Sequence, residues 1–459
     1  MKLIISHIKT NKKPNIFKGI NALFIGNYKY KNQKTLKHLK VVSILVLIYN
    51  LSISCTPVSD TDFPFDNISE EIDFTLNNNE EYLSSRIQYL NKQANIEPFA
   101  RTGLASKDEK TRAAKEIYYW EHIADILPLT INNNTLGISH ISLTNNKAYI
   151  SYKDEGDNKY GAVEIINLNN INYPTITSRA TFPSSDINSV LSGSSKQTTN
   201  RKVWLAMSDK NYGAQLFEID EQENMLTYFY RNVNLSDAIR TGLTDSANGI
   251  VDTHSYLYVT SGNKYGGTLK IKKTNLRTED YETYQDAKYI ASNGNSLIAS
   301  LPARRDGILK VNRVSEGLNA TNYEIGEIFS QDNKDHYSQS IMEFSPKNNN
   351  HLYVAKGKEG VSLIDVTNGS TINKSEKNML TNGSTNGITT DDDYVYSANG
   401  IDGVSIAPHP TSSNEEISPV FHWDLDKQNG AANYIVAEGE WVFVAKTNGE
   451  IKILRKKIK

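Results

Sequence analysis

His351-Leu-Tyr-Val-Ala-Lys-Gly-Lys-Glu-Gly-Val-Ser-Leu-Ile-Asp365 sets two apolar runs on either side of a polar turn that contains two glycines. Alternation places every second side chain on one face of an extended chain, and the glycine-bearing turn folds the two runs together. The stretch therefore reads as a β-hairpin. Six other stretches line up on it. They run from Ala148-Tyr-Ile150 to Gly161-Ala-Val-Glu-Ile165, from Val203-Trp-Leu205 to Gly213-Ala-Gln-Leu-Phe217, and from Leu257-Tyr-Val259 to Gly267-Thr-Leu-Lys-Ile271. The remaining three run from Leu297-Ile-Ala299 to Gly307-Ile-Leu-Lys-Val311, from Val395-Tyr-Ser397 to Gly403-Val-Ser-Ile406, and from Val442-Phe-Val444 to Gly449-Glu-Ile-Lys-Ile453.

The central residues of the first runs are Tyr149, Trp204, Tyr258, Ile298, Tyr353, Tyr396 and Phe443, spaced 55, 54, 40, 55, 43 and 47 residues apart. Periods of this length belong to β-propellers, in which each repeat is a blade of about four strands. Seven copies predict an all-β, seven-bladed propeller over residues 123–459. Each copy opens with a strand that lines the channel, such as Leu136–Ile141 or Asn433–Val436. Outermost strands are expected at Pro174–Thr181, Leu226–Arg231, Asn322–Phe329 and Val420–Asp424. The seventh copy ends at Lys459 with no room for its outermost strand. An orphan apolar run, Ile126-Leu-Pro-Leu-Thr-Ile131, precedes the first copy and is expected to complete the last blade, which removes an open seam. Pro128 is compatible with an outermost strand because one side of such a strand is free.

Leu352-Tyr-Val-Ala355 with Val361-Ser-Leu-Ile-Asp365, and degenerate versions of both in the other copies, resemble bacterial extracellular propellers of the LVIVD-repeat type. The resemblance covers roughly residues 125–456. The WD40 signature is missing, since Trp423-Asp424 occurs once.

Upstream of the repeats the chain changes character. Residues 80–122 read as a helical segment. Glu80–Ala94 places Leu83, Ile87, Leu90 and Ala94 on one face, and Ser106-Lys-Asp-Glu109 has the spacing of a capping box ahead of Ala113, Ile117, Trp120 and Ala124. Residues 55–79 are acidic and polar, with Pro57 and Pro64, and read as a tether. Residues 1–54 read as a signal peptide with a long N-terminal extension. Lys-rich Asn32–Lys40 precedes the apolar run Val41–Ser54, which is too short for a bilayer-spanning helix. Cys55, the sole cysteine, follows directly and excludes an intramolecular disulfide. Leu51-Ser-Ile-Ser-Cys55 resembles the lipobox of bacterial lipoproteins, with the leucine one place early. That resemblance implies lipidation of Cys55 (palmitate among the acyl groups) and attachment to a membrane. With the Asn-, Lys- and Ile-rich composition, the resemblance extends to lipoproteins of Bacteroidetes-type bacteria and implies an outer-membrane or other envelope location.

The formal charge of −2 hides an asymmetry. Residues 1–59 hold ten lysines and no acidic residue, which leaves 40 basic against 52 acidic side chains in the rest. An acidic body argues against general nucleic-acid binding, which needs lysine and arginine to displace counterions, and leaves open only a local basic patch.

The loops inside the hairpins and those between blades are expected to share a face. Their glycines are explained by turn geometry. Tyr160, Tyr212 and Tyr265, with Arg304, Arg305 and Lys356, are not required by the turns. These residue types give large contact area with polar tips, which suits recognition of a protein or glycan. His140 and His254 are placed at the channel or an inter-strand turn, and Asp391-Asp-Asp393 at a hairpin turn. No H-x-x-H, calcium-loop, nucleophile-elbow, phosphate-loop or dinucleotide pattern occurs, so no catalytic residue, metal or cofactor is assigned. The expected function is a lipid-anchored envelope module that binds an envelope protein or extracellular polymer. The competing expectation is a propeller-fold hydrolase or lyase acting on glycans or peptides, which would need acids or histidines converging at the channel mouth. A structural repeat protein is the third.

Overall fold

A computed structural model describes residues 71–98, 118–156, 158–193, 200–238, 245–262, 266–328, 339–376, 380, 382–425 and 430–458. Each of the seven hairpins forms, and each is the middle of one antiparallel sheet. The sheets are blades 1 to 7 in chain order. Their inner strands are Gly137–Thr144, Ser185–Ser192, Ala247–Asp252, Ala287–Ser292, Met342–Phe344, Gly387–Thr390 and Ala432–Glu438. Neighbouring inner strands touch around the full circle, blade 7 to blade 1 included, so the molecule is a closed seven-bladed propeller. The central residue of every copy is buried, from Tyr149 to Phe443. Their side chains build apolar clusters that run from blade to blade.

Turn chemistry fixes the registers. Asn145 and Asn146 both take the left-handed conformation (φ 49° and 57°) in the two-residue turn that pairs Thr144 with Lys147. Glu223 and Asn224 do the same between Gln222 and Met225. Two glycines are required for different reasons. Gly403 has φ 74°. Gly161 lies so close to blade 2 that a Cβ would meet the Ser185 carbonyl oxygen at 2.6 Å.

Five inner strands carry a bulge at the same place, at Ser139, Asn188, Asn248, Lys288 and Asn433. Three of these side chains reach the next blade. Ser139 donates to the Ile187 carbonyl, Asn188 to that of Ala247 at 2.8 Å, and Asn248 to that of Ala287 at 2.6 Å. A bulge turns a side chain out of the ladder, and here it is used to stitch blades together.

The last blade is closed from the N-terminal side, as expected, but by a different strand. Tyr118–Ile126 pairs along Ile451–Ile458, from Ile126 opposite Ile451 to Tyr118 opposite Ile458. Residues 130–131 instead form a small hairpin with 134–135. The helical reading of residues 118–124 is therefore overturned. Trp120 and Ala124 share a face at helical spacing and also, with His122 and Ile126, at a spacing of two, and the open edge of blade 7 decides between them. Residues 99–117, including the Ser106–Glu109 box, lie outside the described residues. The first helix is a single turn, Glu80–Ser84, capped by Asn79, whose side chain accepts from the Tyr82 N–H at 3.0 Å. Beyond it Ile87–Gln93 is a strand, added to the outer edge of blade 7 against residues 121–126. Thr75–Asn77 likewise adds to blade 1 and Glu97–Pro98 to blade 6. The segment is a strap over three outer edges. The outer strands of blades 1, 2, 4 and 6 fall where expected, although that of blade 4 is short, Thr321–Glu324. Those of blade 3 (Arg277–Thr283) and blade 5 (Ser370–Lys374) had no expectation.

Candidate functional site

The antiparallel order of each blade puts the hairpin loops and the blade-to-blade connections on one face. Tyr160 and Tyr212 occupy matching places there. In blade 1 the N–H groups of Asp154 and Tyr160 both donate to Asp186 Oδ1, at 3.3 and 3.1 Å, and Lys159 Nζ lies 3.0 Å from Asp186 Oδ2. Burial pushes the Asp186 carboxyl up, against the pull of Lys159. In blade 2 the N–H groups of Asn211 and Tyr212 donate to Asp209 Oδ1, at 2.8 and 3.0 Å. Each ring lies half-buried over a seam, Tyr160 on the cluster shared by blades 7 and 1, and Tyr212 on that shared by blades 1 and 2. Packing over a seam is thus a reason for tyrosine that turn geometry alone does not supply. Tyr265 lies outside the described residues, as does Cys55.

Arg304 and Arg305 are exposed on the blade 4 loop. Arg304 pairs with Asp306 at 3.1 Å and Arg305 with Glu327. Lys356 is buried, unlike the two arginines, and its Nζ donates to the Ile325 carbonyl at 2.9 Å while lying 3.3 Å from Glu359, so it ties blade 5 to the preceding connection.

The Asp391–Asp393 turn is on the opposite face. Lys456 Nζ lies 2.6 Å from Asp391 and 2.7 Å from Asp393, and Tyr396 Oη donates to Asp391 at 2.7 Å. Both carboxylates are paired with one lysine of the final strand, and among the described residues no group of three potential ligands surrounds a metal position. His122 is on a strand rather than a helix, with Nε2 2.5 Å from Asp125. His254 lies exposed in a turn.

The inner strands hold a second constellation. Glu343 sits on the inner strand of blade 5, and Thr390 Oγ1 of blade 6 donates to it at 3.2 Å. Burial pushes its carboxyl up to about 7. Burial also holds the Tyr434 hydroxyl of blade 7 above the usual phenol range, and Glu343 adds to that. His140 of blade 1 lies edge-on to Tyr434, with ring centroids 5.6 Å apart. Burial pushes His140 down to about 4, so the imidazole is neutral, and its Nδ1 has no hydrogen-bond partner among the described residues. A carboxyl that titrates near neutrality can give or take a proton at physiological pH. Glu343 and Tyr434 carry no sequence signal except their position. Glu343 is an acid inside the apolar inner-strand run Ile341-Met-Glu-Phe344.

No protein-family model matches the chain, and no curated protein matches it. Among solved structures it is similar to a catalytically inactive virginiamycin B lyase from Staphylococcus aureus with quinupristin. The two are 12% identical, with a TM-score of 0.49 over 74% of this chain and 99% of that one. At that identity nothing about chemistry passes from one to the other.

Proposed function

We propose that this chain is a lipid-anchored module of a bacterial envelope, with a propeller of the LVIVD-repeat type that binds an envelope protein or an extracellular polymer. Cys55 carries the lipid, and the outer membrane is its location. The observation that supports the binding role is the loop face of blades 1 to 4. Tyr160 and Tyr212 are held by buried aspartates at equivalent places on a closed ring, and Arg304 and Arg305 stand exposed beyond them. Rigid aromatic side chains with polar tips, on a scaffold that loses little freedom on association, suit recognition. Crosslinking in intact envelopes followed by affinity capture tests this. A partner captured by the parent and lost from a Tyr160→Ala, Tyr212→Ala, Arg304→Ala variant supports the face. Equal capture by both chains counts against it.

Glu343 favours a second reading, a hydrolase or lyase acting on glycans or peptides, with the carboxyl as general acid. Turnover of a glycan or peptide library by the parent, abolished in Glu343→Gln, would replace the binding role.

A further inference from the structure

Six large aromatic side chains stand well exposed among the described residues: Tyr82, Tyr89, Tyr173, Tyr228, Phe229 and Tyr281. All six lie on the outer rim of blades 7, 1, 2 and 3. Tyr82 is on the strap helix over the outer strand of blade 1, and Tyr89 is on the strap strand of blade 7. Tyr89 meets Tyr173 edge-on, with centroids 5.3 Å apart, and donates to the Pro174 carbonyl at 3.0 Å. Tyr228 and Phe229, 65% and 70% exposed, sit on a bulge in the outer strand of blade 2. The ladder there jumps from Ile219–Tyr230 to Glu221–Leu226, so three residues oppose one. Thr227 holds the bulge by donating to the Asp220 carbonyl at 3.2 Å and accepting from the Phe229 N–H at 3.3 Å. Such a bulge blocks strand addition at this edge and aims the two rings outward.

The strap enters the ring at this sector. Phe74 packs against Tyr228 and Tyr230, with centroids 5.6 and 5.2 Å away, and the Leu76 N–H donates to Tyr228 Oη at 3.4 Å. Fifteen residues separate Cys55 from Glu71, a span of at most ~55 Å when fully extended. A lipid on Cys55 therefore tethers the propeller through a chain that joins it beside the aromatic sector. Tyrosine suits the level of lipid headgroups, where its ring is in apolar surroundings and its hydroxyl is wet. On the strap and outer strands of this sector the exposed acids Asp73, Glu80, Glu81, Glu223 and Glu279 outnumber the exposed cations Lys92, Arg231 and Arg277, a balance that favours a zwitterionic over an anionic surface.

We propose that the aromatic rim of blades 7, 1, 2 and 3 rests on the zwitterionic bilayer surface that carries the anchor, with Phe229 and Tyr228 entering the headgroup region first. This orientation rests on the anchored reading, and it leaves the hairpin-loop face accessible from the side.

The test uses the sole cysteine and does not depend on lipidation in cells. The processed chain beginning at Cys55 is coupled through that thiol to maleimide lipid in phosphatidylcholine vesicles with brominated acyl chains. The four native tryptophans (Trp120, Trp204, Trp423 and Trp441) are all buried, so Phe229→Trp supplies one exposed reporter. Ser370→Trp, on the outer strand of blade 5, is the control, and the melting temperature of each variant checks its fold. The proposal expects Phe229→Trp to lose more than about half of the added emission on brominated vesicles, with Ser370→Trp unchanged. Equal quenching of the two, or none, overturns the proposal. Quenching by a soluble oligosaccharide with no effect of lipid also overturns it and gives the sector to a glycan. Failure of the anchor itself is read separately, from fatty-acid labelling of Cys55.

Discussion

The hydroxyl of Tyr434 donates to the carbonyl oxygen of Ile141 at 2.9 Å, joining residues 293 positions apart across the junction of the last blade with the first. Both belong to inner strands, and Tyr434 is buried. The bond closes the inner circle, while the pairing of Tyr118–Ile126 with the final strand closes the outer part of the same blade.

Tyr434→Phe keeps the shape of the ring and leaves the Ile141 carbonyl without this donor. A loss of about 1–2 kcal/mol is expected, seen in urea as a lower midpoint with an unchanged slope. An unchanged midpoint would mean that water replaces the hydroxyl without cost.

The strap is locked by charge. Glu164 is buried and takes Arg86 Nη1 at 2.7 Å, Arg179 Nη2 at 2.7 Å and the Tyr152 hydroxyl at 2.7 Å. Burial alone would raise its carboxyl, but Arg86 and Arg179 hold it below the usual range. The folded chain therefore binds this proton less readily than the unfolded chain. Stability from Glu164 is present above the ordinary carboxylate pKa of about 4.3 and is lost as pH falls through the lowered folded value. Arg86→Ala removes one partner of the buried charge and leaves Arg179 and the Tyr152 hydroxyl, so it is expected to cost roughly 1–3 kcal/mol at pH 7. In a pH series of unfolding curves the difference from the parent narrows towards pH 3.

Glu343 has the opposite sign. Its folded carboxyl titrates at about 7, above the unfolded value, so the folded state holds a proton that the unfolded state has released. Its contribution to stability falls as pH rises from about 4.5 to about 7 and then levels off. Glu343→Gln mimics the protonated form. It is expected to match the parent at pH 5 and exceed it by about 1–3 kcal/mol at pH 8. Parallel pH profiles for the two proteins would place the titration elsewhere.

Leu83, on the strap helix, is fully buried among side chains of blades 7 and 1. Leu83→Ala is expected to cost about 2–5 kcal/mol. Limited proteolysis should then cut within residues 71–98 before the blades. Cleavage first within a blade would show that strap and ring unfold together.

The hairpins were legible because each is local. Alternation, a short turn and a glycine lie within some fifteen residues, as in His351–Asp365, and all seven formed. What failed was non-local. Tyr118–Ile126 satisfies helical and strand periodicities alike, and only its partner more than 300 residues away selects the strand. The same holds for the site. Lys356 reads as a loop cation, and its bond to the Ile325 carbonyl of the preceding connection has no trace in its own loop. The aromatic character of Tyr160 and Tyr212 was visible, but the seams beneath them belong to neighbouring blades. Glu343 is one acid among many along the chain, and its burial and its bond to Thr390 come from blades that meet only in the closed ring.

The most direct test of the account is the anchor at Cys55, on which the envelope location and the orientation of the ring both rest. Cells expressing the parent or Cys55→Ser are fed a clickable fatty acid, and the chain is captured and probed for label in membrane and soluble fractions. A labelled parent in the outer-membrane fraction and an unlabelled variant are expected. Label retained by Cys55→Ser, or a parent that carries none, would contradict the anchor.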